Sequence, residues 1–80
     1  MRAGPAKSVD ALGTWCPVPI QLLAAVIAKL PTGTVVELLA DDPLIEVDLP
    51  AWCHDEGHTL VAITRDPSDD TVFRSYVRRL

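Results

Sequence analysis

Cys16 is the residue in this 80-residue sequence whose type and setting point most clearly to chemistry. It stands in the run Trp15-Cys16-Pro17-Val18-Pro19. Proline is favoured at the first position of a helix, so we predict that Pro17 begins a helix and that Cys16 is its N-cap. An N-cap side chain accepts a hydrogen bond from the N–H of the second or third helical residue. Because Pro19 has no N–H, Val18 is the predicted donor.

A sulfur atom at the start of a helix is suited to carrying negative charge. The helix N-terminus has partial positive charge that favours an anion, and cysteines placed there have lowered pKa values. We therefore predict that Cys16 is a nucleophile on an outward loop, stiffened by Pro17 and Pro19, and that its pKa lies below the reference of about 8.5. Two alternatives stay open: Cys16 packs as a small apolar residue, or it only caps the helix.

Cys53 is the second thiol, in Trp52-Cys53-His54. We predict that it packs near a sheet as part of a second helix. As an alternative, it is a resolving thiol that forms a disulfide with Cys16, for which the two Cα atoms must lie within about 7 Å. Cys53, His54 and His58 match no standard four-ligand spacing, so we predict no metal site. The histidines are expected near the surface, around the C-terminus of that helix.

Three other residues have side chains suited to a functional role. Asp41 and Asp42 have the form of a catalytic carboxylate pair, but capping of the second helix accounts for them more simply. Trp15 adjoins the candidate nucleophile. Core packing is the usual place for a tryptophan, yet at this position we expect an exposed or half-exposed ring that contributes to a partner contact.

The elements that position these residues follow from hydrophobic periodicity and from proline and glycine. We expect the second helix to end at Gly57 and to kink or break near Pro50. In the last strand, Phe73 and Val77 should face the core, with Arg74, Tyr76 and Arg78 on the other side. The predicted strands are 9–12, 34–40, 59–65 (an interior strand) and 71–79, and the predicted helices are 17–30 and 43–56.

This order, βαβαββ, predicts an α+β fold: a two-layer sandwich of a four-stranded mixed sheet with two helices on one face. No internal repeat or linker divides the chain, so we expect a single domain over 1–80, with 1–7 flexible. Apolar residues make up 49% of the sequence, enough for a core without disulfides.

The charge of the chain is −4, which disfavours tight binding to nucleic acid. Acidic residues are concentrated in the middle of the sequence, either as solvated faces or as a docking surface for a basic partner protein. The first residues have no apolar signal region, and the longest apolar stretch, 18–30, is too short to span a bilayer. We therefore expect a cytoplasmic protein whose two cysteines are thiols.

Taken together, these motifs resemble the SirA/TusA family of small sulfur-carrier proteins. Cys16-Pro17-Val18-Pro19 matches the Cys-Pro-x-Pro signature of that family. The approach at 9–13, the run Ala40-Asp41-Asp42-Pro43 and the segment 48–53 match further family landmarks at the expected spacing. The resemblance extends from residue 9 to the end of the chain.

The resemblance implies sulfur relay and a two-layer βαβαββ fold. Cys16 would accept sulfane sulfur as a persulfide from a cysteine desulfurase or rhodanese-like donor and pass it to an acceptor protein, without a cofactor. The acceptor would serve tRNA thiolation, sulfur oxidation or cofactor maturation. Two other functions remain: a noncatalytic interaction or regulatory module, and a thiol-disulfide redox protein that uses Cys16 and Cys53.

The sequence departs from typical tRNA-thiolation members at two places. Those members have Arg before the cysteine and Glu between the prolines, whereas this chain has Trp15 and Val18. Charged groups that would tune the thiol or contact a partner are thus replaced by apolar ones. The sulfur chemistry is still expected, but the pathway is left open.

Overall fold

The computed structural model describes residues 5–80 of the chain. Its elements follow the predicted βαβαββ order, and two helices with a four-stranded mixed sheet confirm the α+β fold. Residues 1–4, part of the segment 1–7 that we expected to be flexible, lie outside the described residues. The elements are β1 (Lys7–Asp10), α1 (Val18–Ile27), β2 (Val35–Ala40), α2 (Ile45–Glu56), β3 (Thr59–Asp66) and β4 (Asp69–Arg78).

The strands are arranged in the order β1-β2-β4-β3. β1 pairs with β2 in parallel, and β4 is antiparallel to both β2 and β3. Our prediction that β3 is an interior strand is wrong, because β4 occupies that place and β3 forms an edge. A register shift between Leu60 and Ala62 breaks the alternation of β3 and leaves Val61 50% exposed. The apolar residues on both faces of this strand therefore did not indicate that both faces are buried.

The core lies between the helices and one face of the sheet. Every second residue of β2 is fully buried there, and in β4 Phe73 and Val77 face it as predicted. α1 contributes Ile20, Leu23 and Ile27 at the spacing of a core-facing helix. α2 contributes Ile45, Leu49 and Cys53, one residue per turn.

α2 ends as expected and passes through its proline without a break. Gly57 takes the left-handed conformation (φ 77°) that terminates the helix. The predicted break near Pro50 is wrong, since the helix is continuous from Ile45 to Glu56. Burial of Leu49 and Cys53 on either side of Pro50 favours the helical backbone and offsets the lost hydrogen bond.

α1 ends at Ile27, three residues earlier than predicted. Arg79, near the end of the chain, binds the carbonyl oxygens at its C-terminus. One guanidinium nitrogen of Arg79 donates to the carbonyl oxygens of Ile27, Ala28 and Leu30, each at 2.9 Å. The last carbonyls of a helix have no partners within the helix. Arg79 therefore acts as a C-terminal cap supplied from the far end of the sequence.

The face of the sheet opposite the helices carries a polar network around Glu37. The Glu37 carboxylate accepts hydrogen bonds from Ser8 (2.8 Å), Tyr76 (2.9 Å) and Arg74 (2.9 Å). Arg74 also forms an ion pair with Asp66 at 2.7 Å. Arg74 and Tyr76 thus point away from the core, as the alternation of β4 predicts.

No helix within residues 5–80 is both long and apolar enough to cross a bilayer.

Candidate functional site

The candidate site forms where two parallel strands end beside each other. Asp10, the last residue of β1, pairs with Leu39 near the end of β2. The carboxyl ends of parallel neighbours meet at the same edge of a sheet, and this is where α/β folds place their binding sites. The loop after β1, which contains Cys16, therefore lies against the loop after β2, which begins with Asp41 and Asp42.

The two aspartates hold the main chain of the cysteine loop. The Asp41 carboxylate accepts a hydrogen bond from the N–H of Gly13, at 3.2 and 3.1 Å from its two oxygens. One Asp42 oxygen accepts from the N–H of Cys16 at 3.0 Å, and the other accepts from the N–H of Leu44 at 3.0 Å. These side chains therefore join the two loops.

The prediction that these aspartates cap the second helix is wrong, and their long-range hydrogen bonds lie between the two loops. α2 begins at Ile45, after Leu44, and has no side-chain cap of the standard kind. The bond from Leu44 to Asp42 belongs to this turn, but the bonds to Gly13 and Cys16 span 28 and 26 residues. The order β1-α1-β2 favours parallel pairing of the two strands, and this was the sequence signal that the two loops lie side by side.

Cys16 is not the N-cap of α1, contrary to our prediction. The helix begins at Val18 with Pro17 in the capping position, and no side chain caps it. The N–H of Val18 donates to the carbonyl oxygen of Trp15 at 2.8 Å, within the turn that leads into the helix. The donor that we assigned to the sulfur is therefore already occupied by the backbone.

The residues around Cys16 differ in exposure. Pro17 and Val18 are exposed, whereas Pro19 is fully buried against the core. Both prolines were expected to stiffen an outward loop, but Pro19 instead anchors the first turn of α1 inside the protein. Cys16 is half-buried and packs against the edge of the core.

The electrostatic setting of the thiol is the reverse of the predicted one. Burial raises the pKa of Cys16 to about 11, with further contributions from the negative charges of Asp42 and Asp48 and a hydrogen bond to Asp48. The predicted lowering of the pKa by the helix N-terminus is therefore wrong. With a pKa near 11, Cys16 is a neutral thiol at pH 7.

Cys53 lies in the core, as expected for a packed helix cysteine. It is 2% exposed and burial raises its pKa to about 11. Both cysteines are free thiols. Within residues 5–80, no three His, Cys, Asp or Glu side chains are grouped so that they could hold a metal ion.

The aromatic residues take different places. The Trp15 ring is 79% exposed beside Cys16. Trp52 is half-buried against the core, and its ring lies 5.3 Å from that of His58. His58 also accepts a hydrogen bond from the N–H of Leu80 at 3.3 Å, while His54 is exposed near the end of α2.

A family model described as "Sulfurtransferase TusA" matches residues 7–79, nearly the whole chain. The chain belongs to the TusA family. The "Sulfur carrier protein TusA" of Pseudomonas syringae pv. syringae (strain B728a) is 32% identical over 71 residues, which cover 89% of this chain and 81% of that protein. The crystal structure of the SirA-like protein from Desulfitobacterium hafniense is similar with a TM-score of 0.78 and 25% identity. The match covers 90% of this chain and 95% of that one.

In this member of the TusA family, the cysteine loop is held by its main chain. Its apolar side chains, Trp15 and Val18, project from a backbone that Asp41 and Asp42 fix. The arrangement can present one half-buried thiol to another protein, while the second thiol stays in the core.

Proposed function

We propose that this protein is a sulfur carrier that accepts sulfane sulfur as a persulfide on Cys16 and passes it to an acceptor protein. The contrast between its two thiols carries the proposal. Cys16 is partly exposed on a loop at the edge of the sheet, whereas Cys53 is 2% exposed in the core. Transfer between proteins requires a sulfur atom that another protein's sulfur can reach. Membership of the TusA family supports the same role.

The proposed reaction exchanges one S–S bond for another. The Cys16 thiolate attacks the outer sulfur of a donor persulfide, R–S–SH. A bond forms between Cys16 Sγ and that sulfur, the donor S–S bond breaks, and the electron pair leaves on the donor thiolate, R–S⁻. The proton lost by Cys16 ends on that thiolate. Because nothing is oxidised or reduced overall, the step needs no cofactor, and delivery to an acceptor thiolate repeats it in the other direction.

The surrounding residues position the sulfur in this proposal. Asp41 and Asp42 fix the loop through Gly13 and the N–H of Cys16, and the buried Pro19 fixes the start of α1. Pro17 and Val18 complete the supporting loop on its exposed side. The partners are a donor, of the cysteine desulfurase or rhodanese-like class, and an acceptor in tRNA thiolation, sulfur oxidation or cofactor maturation.

Sulfur loading of single-cysteine variants tests the proposal. After incubation with a cysteine desulfurase, its pyridoxal phosphate and cysteine, we expect the Cys53→Ser variant to gain about 32 Da, removable by dithiothreitol as for a reducible sulfur cap. The Cys16→Ser variant should gain nothing, since its remaining thiol is buried. Intact-protein mass spectrometry reads both.

The same measurement, extended to the unsubstituted chain, separates the rival functions. A noncatalytic module would show no added sulfur in either variant. A redox protein would lose about 2 Da in the unsubstituted chain, as Cys16 and Cys53 form a disulfide. Loading of Cys16→Ser but not of Cys53→Ser would contradict the assignment of Cys16.

A further inference from the structure

Exposed apolar side chains are concentrated in the segments that adjoin Cys16 and its neighbouring loop. Eight large apolar side chains are exposed in the described part of the chain, and six of them lie in the two site loops and the first turns of α1 and α2. Trp15 is 79% exposed, Val47 67% and Leu44 54%. The Trp15 surface, as we call it, consists of Leu12, Trp15, Val18, Leu22, Leu44 and Val47.

Hydrogen bonds between the two loops bring the two parts of this surface together. Bonds from Gly13 and Cys16 to the two aspartates hold the loop of Leu12 and Trp15 against the segment that leads to Leu44. Leu44 and Val47 are three residues apart at the start of α2, and Val18 and Leu22 are four apart on α1, so each pair shares a helix face. Exposed apolar groups clustered in this way mark interaction sites.

The charge beside the Trp15 surface is negative. Asp41, Asp42, Glu46 and Asp48 all lie in its second loop or in α2, and no Lys or Arg occurs between residues 30 and 64. Arg65 is a nearby cation. It lies with Asp41 and Glu46 around a shallow cleft of about 420 Å³, but its guanidinium stacks over Phe73 at 5.0 Å and donates to a backbone carbonyl.

We propose that the Trp15 surface docks the sulfur-exchanging partner, and that this partner presents apolar side chains rimmed by Lys or Arg around its own reactive sulfur. The inference rests on the proposed function and adds the chemistry of the partner. Complementary charge directs such encounters, and like charges brought together oppose them. A second copy of this chain would bring its own acidic residues against Asp42 and Asp48, so it is not the expected occupant.

Docking of a basic partner would also prepare Cys16 for reaction. Burial, and then the charges of Asp42 and Asp48, disfavour the thiolate in the free protein. A cation placed beside these carboxylates offsets their charge. A basic partner would therefore remove the part of the pKa increase that is due to charge.

Thiol–disulfide exchange with small charged reagents tests the charge of the partner. The reagents are cystamine (dication), 2-hydroxyethyl disulfide (neutral) and 3,3′-dithiodipropionate (dianion), used with the Cys53→Ser variant. Each rate is divided by that of N-acetylcysteine amide with the same reagent, which corrects for the leaving group. We expect the normalised rates to favour the dication over the dianion by about tenfold at low salt, and the preference to shrink in 1 M salt.

Matched variants assign that preference to the site. Asp48→Asn should raise the rate with the neutral reagent, because one charge opposing the thiolate is gone, and should reduce the dication preference to about threefold or less. Asp55→Asn removes the same charge about two turns further along α2 and should leave both quantities unchanged. Equal normalised rates for the three reagents would overturn the proposal.

Activated peptides test the apolar part of the surface. Two peptides carry a cysteine as its 2-thiopyridyl disulfide, flanked on each side by arginine and either leucine or serine. We expect the leucine peptide to react several times faster, and Trp15→Ser or Val47→Ser to remove this advantage. Val61→Ser, at an exposed apolar position on β3, should retain it. An advantage that survives in both site variants would overturn the proposal.

Sedimentation velocity tests whether a second copy of this chain occupies the Trp15 surface. We expect a monomer, and a dimer that dissociates in Trp15→Ser would instead assign the Trp15 surface to a second copy and overturn the proposal. None of these measurements requires sulfur loading. Failure of the docking proposal and failure of the proposed function are therefore separate results.

Discussion

A hydrogen bond to its main chain holds Cys16 in place, while negative charges near its side chain disfavour the thiolate. Asp42 accepts a hydrogen bond from its N–H, and the same carboxylate, together with Asp48, disfavours ionisation of its sulfur. Asp42 thus holds the main chain of the proposed nucleophile and adds to the effect of burial, which is the larger cause of the raised pKa of its thiol. In the docking proposal, the reactivity of this residue depends on the charge of the partner more than on the helix that follows.

The ionisation of Cys16 is directly measurable. In the Cys53→Ser variant, we expect the rate of alkylation by iodoacetamide to rise about tenfold per pH unit up to pH 10 without levelling, because the pKa lies near 11. Asp48→Asn should move the profile to lower pH, since it removes one of the charges that raise this pKa, while Asp55→Asn should not. A plateau below pH 8.5 in the parent variant would contradict the structure and restore the helix N-terminus as the dominant influence.

For single residues, the sequence predicts which side chains are functional candidates better than it predicts the charges that set their pKa values. The reactive position of Cys16 stays a prediction, while the exposure of Trp15 and the burial of Cys53 were both expected from their surroundings and are confirmed. The opposing carboxylates were missed. Asp42 and Asp48 lie 26 and 32 residues from Cys16 in the sequence, and only the folded chain brings their charge to the thiol.

Among the elements, α1 depends on a residue that the hydrophobic pattern does not single out. Arg79 satisfies three carbonyls at the C-terminus of α1, where positive charge also suits the helix dipole. Its own backbone pairs with Gly33 and Thr34, at 2.8 and 2.9 Å, beside the start of β2. The end of the chain is thereby attached to the turn that joins α1 to β2.

We expect Arg79→Met to lower the free energy of unfolding by about 1–2 kcal/mol, because hydrogen bonds to charged groups contribute on this scale and the carbonyls would lose their partner. Urea denaturation followed by circular dichroism measures the change. Arg78→Met removes the same charge from an exposed neighbouring position and should change stability by less than about 0.5 kcal/mol. Equal effects of the two substitutions would show that charge alone, and not capping, is responsible.

The order of elements was predictable from periodicity, but two details of β3 and α2 were not. β3 was placed in the interior because its apolar residues occur on both sides, but the shift beyond Leu60 turns Val61 to solvent. α2 was expected to break at Pro50, yet its buried residues keep it helical. In both cases contacts distant in sequence outweigh the local pattern.

Across the whole molecule, ionisation sets a range of pH in which the fold is most stable. Burial tends to raise the pKa of Glu37, but hydrogen bonds from Ser8, Tyr76 and Arg74 outweigh it and lower the pKa. Hydrogen bonds from Ser68, and then Arg74, lower the pKa of Asp66 to about 2. Burial of the two thiols acts in the opposite sense at high pH, raising both pKa values to about 11.

The sign of each effect follows from proton binding. A carboxyl whose pKa is lower in the folded state stabilises the fold above its unfolded value of about 4, and this contribution is lost as the pH falls through the folded pKa. A thiol whose pKa is raised in the folded state contributes stability that is fully present below its unfolded pKa of about 8.5. This contribution is lost as the pH rises towards the folded pKa of about 11, because the unfolded chain ionises first.

We therefore expect the melting temperature, followed by circular dichroism, to be highest between about pH 5 and 8 and to fall on both sides. Glu37→Gln should lower the free energy of unfolding by about 1–3 kcal/mol at pH 7, because it weakens three partly buried hydrogen bonds, and the difference from the parent should narrow at low pH. A melting temperature that stays constant from pH 7 to pH 3 would contradict the role of these carboxyls.

The bonds that hold the cysteine loop end on backbone N–H groups, those of Gly13 and Cys16. Every residue except proline has such a group, so the hydrogen bonds to Asp41 and Asp42 do not depend on the identity of the exposed side chains of the loop. Positions 15 and 18 are consequently free to change during evolution without loosening the nucleophile. After a gene duplication, one copy could acquire new partners through substitution of Trp15 or Val18 alone, while the backbone hydrogen bonds that position Cys16 are retained.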